Sequence, residues 1–190
     1  TNCYIAACEK TKEGVVIDPG DDSAMILGEI ESLGISIKYI LNTHAHFDHI
    51  GANSVLVKRL EAPLALHPLD LPLLKENGGA KLFGLPAAES PEPTMELENG
   101  QKIAFGEHSF EVLFTPGHTP RHVSFYEETE RVLFDGDVLF DGGIGRTDMP
   151  GGDTGAIMRS IKEVLFELPE ETVVYAGHGN PTTIGQEKAT

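Results

Sequence analysis

The 190-residue chain reads as an α/β protein with two mixed β-sheets face to face and helices outside. Three observations predict this. Strand-like and helix-like segments alternate early in the chain. The two halves share a style, each placing strands first and a helix later. One pattern then recurs: an apolar strand, a short turn, and a residue with a metal-binding side chain. It appears at 39–44, 112–118, 132–137 and 173–178.

Length alone favours one domain over residues 1–190, with about 70% of the chain's surface buried on folding. Apolar residues make up 40% and charged residues 23%, ordinary for a globular protein. There is no apolar run of the roughly 18 residues that a membrane helix needs. Residues 1–8 lack a basic region followed by an apolar stretch, so the expected location is the cytoplasm. Cys3 and Cys8 are an odd number of residues apart in one strand-like segment. They should point to opposite faces and stay unpaired. The net charge of −16 excludes nucleic acid and anionic membranes as partners.

The elements follow in order. Residues 2–8 and 15–18 form a hairpin around a polar turn. Asp18-Pro19-Gly20 ends it, Asp21 or Asp22 caps a helix, and Gly34 stops that helix after Leu33. Met25, Ile26, Ile30 and Leu33 give the helix an apolar face. A buried strand at 38–42 leads into the stretch 43–49, and a helix follows over 50–60. Residues 64–66 are a short strand and 68–76 a short helix. Residues 77–93, rich in Gly, Pro, Ala and Glu, read as a long loop. Its apolar tip of Leu82, Phe83 and Leu85 either covers a site or docks on the core. Strands at 95–97, 102–105 and 108–114 form a meander, and 122–126 with 131–134 form another hairpin. A Gly-rich loop at 141–153 precedes a helix at 156–166 capped by Asp153 or Thr154. A strand at 172–175 and a helix from Ile184 complete the order.

The stretch Thr43-His44-Ala45-His46-Phe47-Asp48-His49 organises the rest. Neutral imidazole and carboxylate are ligands for Zn²⁺, Fe or Mn²⁺. His44 and His46 are two apart, so an extended backbone points both to one side. Asp48 and His49 fall in the following turn and suit a second cation. His118, Asp137 and His178 end the other three repeats of the pattern, and Gly117, Gly136 and Gly177 allow a sharp turn before each. Five His and two Asp are enough for two cations with positions left for water. Four added positive charges would create a cationic pocket in an acidic shell. His67 reads as a capping or supporting residue, His108 as solvated, and His122, close in sequence to His118, either faces the cleft or has no special role.

These residues resemble the metallo-β-lactamase superfamily, whose ligand order matches His44-x-His46-x-Asp48-His49, His118, Asp137 and His178. The resemblance implies a four-layer αββα sandwich with metals at one edge of its sheets. By that resemblance His44, His46 and His118 bind one metal, Asp48, His49 and His178 bind the other, and Asp137 bridges them. Two divalent ions are implied, Zn²⁺ first and Fe or Mn as alternatives. Asp137 stands where true β-lactamases of the group carry Cys, which argues against that activity. Stretches 115–120, 136–140, 145–153 and 177–185 resemble short, single-domain bacterial glyoxalase II, the hydroxyacylglutathione hydrolases. Gly179 and Asn180 follow His178 where the larger enzymes place a Tyr. Arg146 corresponds to their substrate-binding Lys.

The implied activity is thioester hydrolysis, on a small molecule such as S-D-lactoylglutathione, by a hydroxide shared between the metals. Asp48 would orient that hydroxide while it ligates. Arg146 would fork onto a substrate carboxylate or, alternatively, onto Asp148 or Asp153. A persulfide dioxygenase holding one Fe(II) on His44, His118 and Asp137 is the main competing expectation. Lactone and phosphoester hydrolysis on the same fold remain open.

Overall fold

The computed structural model describes residues 1–86 and 89–189. Its backbone falls into two compact units, Thr1–Leu97 with Ala104–Ser109, and Glu98–Ile103 with Phe110–Thr190.

The first unit opens with β1 (Tyr4–Ala7) and β2 (Glu13–Ile17), antiparallel with Tyr4 opposite Ile17. Helix α1 (Ser23–Leu33) follows. The Asp22 side chain accepts from the Met25 amide at its start, and Gly34 ends it in the left-handed region. β3 (Ser36–Leu41) runs parallel to β2, and short α2 (Phe47–Ile50) and α3 (Asn53–Leu60) come next. β4 (Leu64–Leu66) pairs parallel with β3; a 3-10 turn at Pro68–Asp70 leads into α4 (Leu71–Lys75). The 77–93 region holds a 3-10 run over Asn77–Phe83, kinked at Gly78 and Gly79, and β5 (Met95–Glu96) closes a mixed sheet in the order β1-β2-β3-β4-β5. Ala87 and Ala88 of the expected loop lie outside the described residues.

Val16, Ile26, Ile30, Ile40, Leu56 and Leu64 form one core cluster here. The apolar face expected of α1 is narrower than its sequence suggests, because Met25 and Leu33 are 68% and 48% exposed. The expected helix at 50–60 is broken. The Ala52 amide donates to the Pro19 carbonyl at 2.9 Å, outside the helix. Gly51 packs so tightly that a Cβ would stand 2.1 Å from the Gly20 carbonyl oxygen.

The second sheet is also mixed and, among the described residues, runs β13-β12-β9-β8-β7-β6. Its strands are β6 (Lys102–Phe105), β7 (His108–Phe114), β8 (Val123–Glu127), β9 (Val132–Gly136), β12 (Val173–Ala176) and β13 (Thr182–Thr183). β10 (Leu139–Phe140) and β11 (Gly143–Ile144) make a separate small hairpin across the start of the expected Gly-rich loop. α5 (Thr154–Glu163) is capped by Asp153, and α6 (Ile184–Lys188) by Thr183. Leu133, Val138, Ile157, Ile161, Leu165, Val174 and Ile184 form the second unit's core. Beside it, the parallel register of β9 and β12 steps from Phe134 directly to Gly136, which leaves Asp135 as the extra residue of a bulge. Cys3 and Cys8 are free thiols.

Candidate metal centre

In the first unit, β3 ends at Leu41, the chain bends at Thr43 and His44, and the backbone is extended again at His46 (φ −65°, ψ 147°). Within this bend the two rings come together, Nε2 of His44 standing 3.0 Å from Nδ1 of His46. Two donors on one tetrahedral cation, each about 2.0–2.1 Å away, stand roughly 3.3 Å apart. Asp48 and His49 lie in the single turn of α2, where Nε2 of His49 is 3.7 Å from Oδ2 of Asp48. The His49 ring stands 4.1 Å from that of His44.

Hydrogen bonds fix which ring nitrogen is bare. Thr43 donates its hydroxyl to Oδ2 of Asp18 at 2.7 Å, so it accepts from Nδ1–H of His44 at 3.0 Å. Nδ1–H of His49 donates to the same Asp18 oxygen at 3.0 Å. Both Nε2 atoms therefore present a lone pair, as in carboxylate-supported metal histidines. The sequence marks Asp18 only as a turn residue. Its left-handed backbone (φ 49°) turns its buried carboxylate onto Thr43 and His49. Asp70 holds the loop as well, accepting from the Ala45 amide at 2.8 Å.

In the second unit, Nδ1–H of His118 donates to the Arg146 carbonyl at 2.8 Å, which again leaves Nε2 bare. That Nε2 and Nε2 of His178 each lie 3.5 Å from one atom, Oδ2 of Asp137. One carboxylate oxygen serving two imidazoles suits a shared ligand. Gly117 (φ 137°) is required before His118, since a Cβ would stand 2.2 Å from the Ile157 amide of α5. Gly136 has φ 58°, whereas Gly177 is outside the left-handed region. Behind Asp137, the buried Asp135 accepts from Ser124 and from the Leu139 amide. Burial, aided by the charge of Asp137, pushes its carboxyl well up against those two bonds.

Each unit thus gathers its share of the expected ligands: His44, His46, Asp48 and His49 in one, His118, Asp137 and His178 in the other. The donor set, imidazole nitrogen with carboxylate oxygen, fits Zn²⁺, Fe or Mn²⁺. Arg146 is engaged: its Nε and a terminal nitrogen donate to the two Asp148 oxygens at 2.7 and 2.8 Å. His67 caps the 3-10 turn by accepting from the Leu69 amide, and His108 stacks on Phe105. His122 is fully buried and accepts from the Asp137 amide at 3.1 Å. A cavity of about 350 Å³ opens beside Asp48, lined also by Gly20, Asp21, Phe47 and Gly51. The Phe47 ring meets that of Phe83 at 5.5 Å, while Leu82 and Leu85 are exposed.

The family model of the metallo-beta-lactamase superfamily matches residues 1–178. An uncharacterized protein of Aquifex aeolicus is 42% identical over 99% of this chain and 89% of its own. Hydroxyacylglutathione hydrolase GloC of Haemophilus influenzae is 39% identical over 98% and 89%. Among solved structures, BLEG-1 B3 metallo-beta-lactamase aligns with a TM-score of 0.94 and 40% identity, covering 100% of this chain and 92% of that one. TTHA1623 in a di-iron-bound form gives 0.90 and 44% over the same shares. ETHE1 from Myxococcus xanthus gives 0.80 and 30% over 98% and 76%.

Proposed function

Because the chain belongs to the metallo-beta-lactamase superfamily, we propose that it is a metal-dependent hydrolase acting on a glutathione thioester such as S-D-lactoylglutathione. The observation that carries this reading is the set of fixed tautomers. His44, His49 and His118 each set Nδ1–H against an oxygen, which puts the ring lone pair on Nε2. Two cations would be held by His44, His46 and His118, and by Asp48, His49 and His178, with Asp137 shared. When bound, such cations bring the pKa of water to about 7 and polarise a carbonyl.

The chain's own residues do the remainder. Asp48, with its side chain 31% exposed, accepts a hydrogen bond from the attacking water and orients it. Phe47 and Asp21 wall the adjoining cavity where part of the substrate lies. A thiolate leaves readily, so no residue is needed to protonate it. The identity with a hydroxyacylglutathione hydrolase over most of both chains supports the thioester. The likeness to a di-iron structure supports iron as an alternative to zinc.

The test is to count metals per chain and to offer S-D-lactoylglutathione, glutathione persulfide and a chromogenic cephalosporin in parallel. Thioester loss without oxygen uptake, at two metals per chain, is expected. Oxygen uptake with a single iron, or cephalosporin opening with the thioester untouched, overturns the reading. His49→Ala should remove one metal and most turnover; retained activity refutes the two-metal arrangement.

A further inference from the structure

A line of four fully buried polar side chains, His122, Thr115, Ser124 and Asp135, stands behind Asp137 and supplies none of the seven expected ligands. Its hydrogen-bond direction can be worked out from one end. A backbone amide only donates, so Nε2 of His122, which receives the Asp137 N–H at 3.1 Å, carries a lone pair. The ring proton is therefore on Nδ1 and goes to Oγ1 of Thr115 at 3.0 Å. Thr115 passes its own hydrogen to Oγ of Ser124 at 2.9 Å, and Ser124 passes its hydrogen to Oδ1 of Asp135 at 3.0 Å. The other Asp135 oxygen takes the Leu139 amide at 2.6 Å. The run thus ends on a group that accepts through both oxygens, the residue that the β9 bulge leaves out of register. Bulges of this kind re-aim a side chain beside functional sites.

We propose that His122 and Asp135 are positioning residues for Asp137: His122 holds the Asp137 amide, and Asp135 fixes the polarity that lets it do so. This rests on the reading of Asp137 as a metal ligand. Asp137 must place one oxygen between two imidazoles, and a backbone held from behind keeps it there. The polarity makes an isosteric change far from neutral. In Asp135→Asn the carboxamide has one acceptor, which the Leu139 amide occupies, and its NH₂ then faces Ser124. The line then loses the acceptor at its far end, a hydroxyl hydrogen is left without its partner, and the hold of His122 on the Asp137 amide weakens.

The test uses the full chain in two measurements. Nitrogen-15 spectra of the metal-free protein should show His122 protonated at Nδ1 and bare at Nε2. Competition with a chelating dye then gives Zn²⁺ affinity. Asp135→Asn is expected to lose about ten- to hundred-fold in affinity. His122→Leu should lose as much, whereas His122→Gln, whose Oε1 takes the place of Nε2, should stay within a few fold of the unmodified protein. If Asp135→Asn does not fold, the Gln and Leu pair decides. Protonation at Nε2 in the unmodified chain, Zn²⁺ affinity unchanged in Asp135→Asn, or equal losses in Gln and Leu overturns the proposal. A chain that binds no Zn²⁺ at all sinks the metal reading instead, and the imidazole spectra separate the two failures.

Discussion

Arg146 acts through two different atoms. Its carbonyl orients His118, while its guanidinium forks onto the exposed carboxylate of Asp148. That hydrogen bond and the guanidinium charge hold the Asp148 carboxyl down to about 2, from an ordinary 3.8. A depressed carboxylate stabilises the fold above its unfolded pKa, and the benefit fades as pH falls from 3.8 towards 2. Between pH 5 and 9 the pair stays intact, so a substrate carboxylate reaching Arg146 must displace Asp148. Asp148→Ala should therefore lower KM by a few fold for an anionic thioester, with kcat unchanged, and Arg146→Ala should cancel that gain. An unaltered KM in both variants would assign Arg146 to structure alone. The seven candidate ligands were legible because they follow strand ends in the sequence. Asp18, Asp70 and Asp135 were not, because their partners are set by the fold: Asp18 bonds Thr43 and His49, 25 and 31 residues away.

Elements were legible where a local signal closes them, as with Asp22 and Gly34 on α1 or Asp153 on α5. They were obscure where a distant backbone intrudes, as at the break between α2 and α3. The 3-10 run at Asn77–Phe83 is such an intrusion seen from the other side. Gly78 has φ +63°, and a Cβ there would stand 2.2 Å from the Phe47 amide and 2.6 Å from the Ala45 carbonyl. Both atoms belong to the loop that carries His44, His46 and Asp48. Gly84 has nearly the same φ, +66°, but open space around it. Gly84→Ala should cost only the roughly 1–2 kcal/mol of a left-handed alanine. Gly78→Ala should cost about 1–3 kcal/mol more through overpacking, and should also weaken Zn²⁺ binding. Denaturant midpoints and dye competition on both variants check this, and equal losses would refute the close approach.

On the scale of the whole molecule, the family match runs through both compact units. What the sequence does make plain is a net charge of −16, to which Asp48 and Asp137 contribute. Buried carboxylates and imidazoles gathered at close range favour the folded state only when a cation offsets them. Metal should therefore be a large part of this protein's stability. Free metal at a hundred times Kd adds about 2.7 kcal/mol. In a chain of this size each kcal/mol moves Tm by about 2–4 °C, so chelation should lower Tm by roughly 5–11 °C. Zn²⁺ should restore it, and Mg²⁺ should not, since imidazole-rich sites suit the former. Differential scanning calorimetry with and without chelator reads this directly. His49→Ala and Asp137→Ala should each show a smaller drop on chelation than the unmodified chain, because they begin with weaker sites. A Tm indifferent to chelator, in protein that gives up its metal to that chelator, would overturn the expectation and place the metal on groups that bind it as well in the unfolded chain.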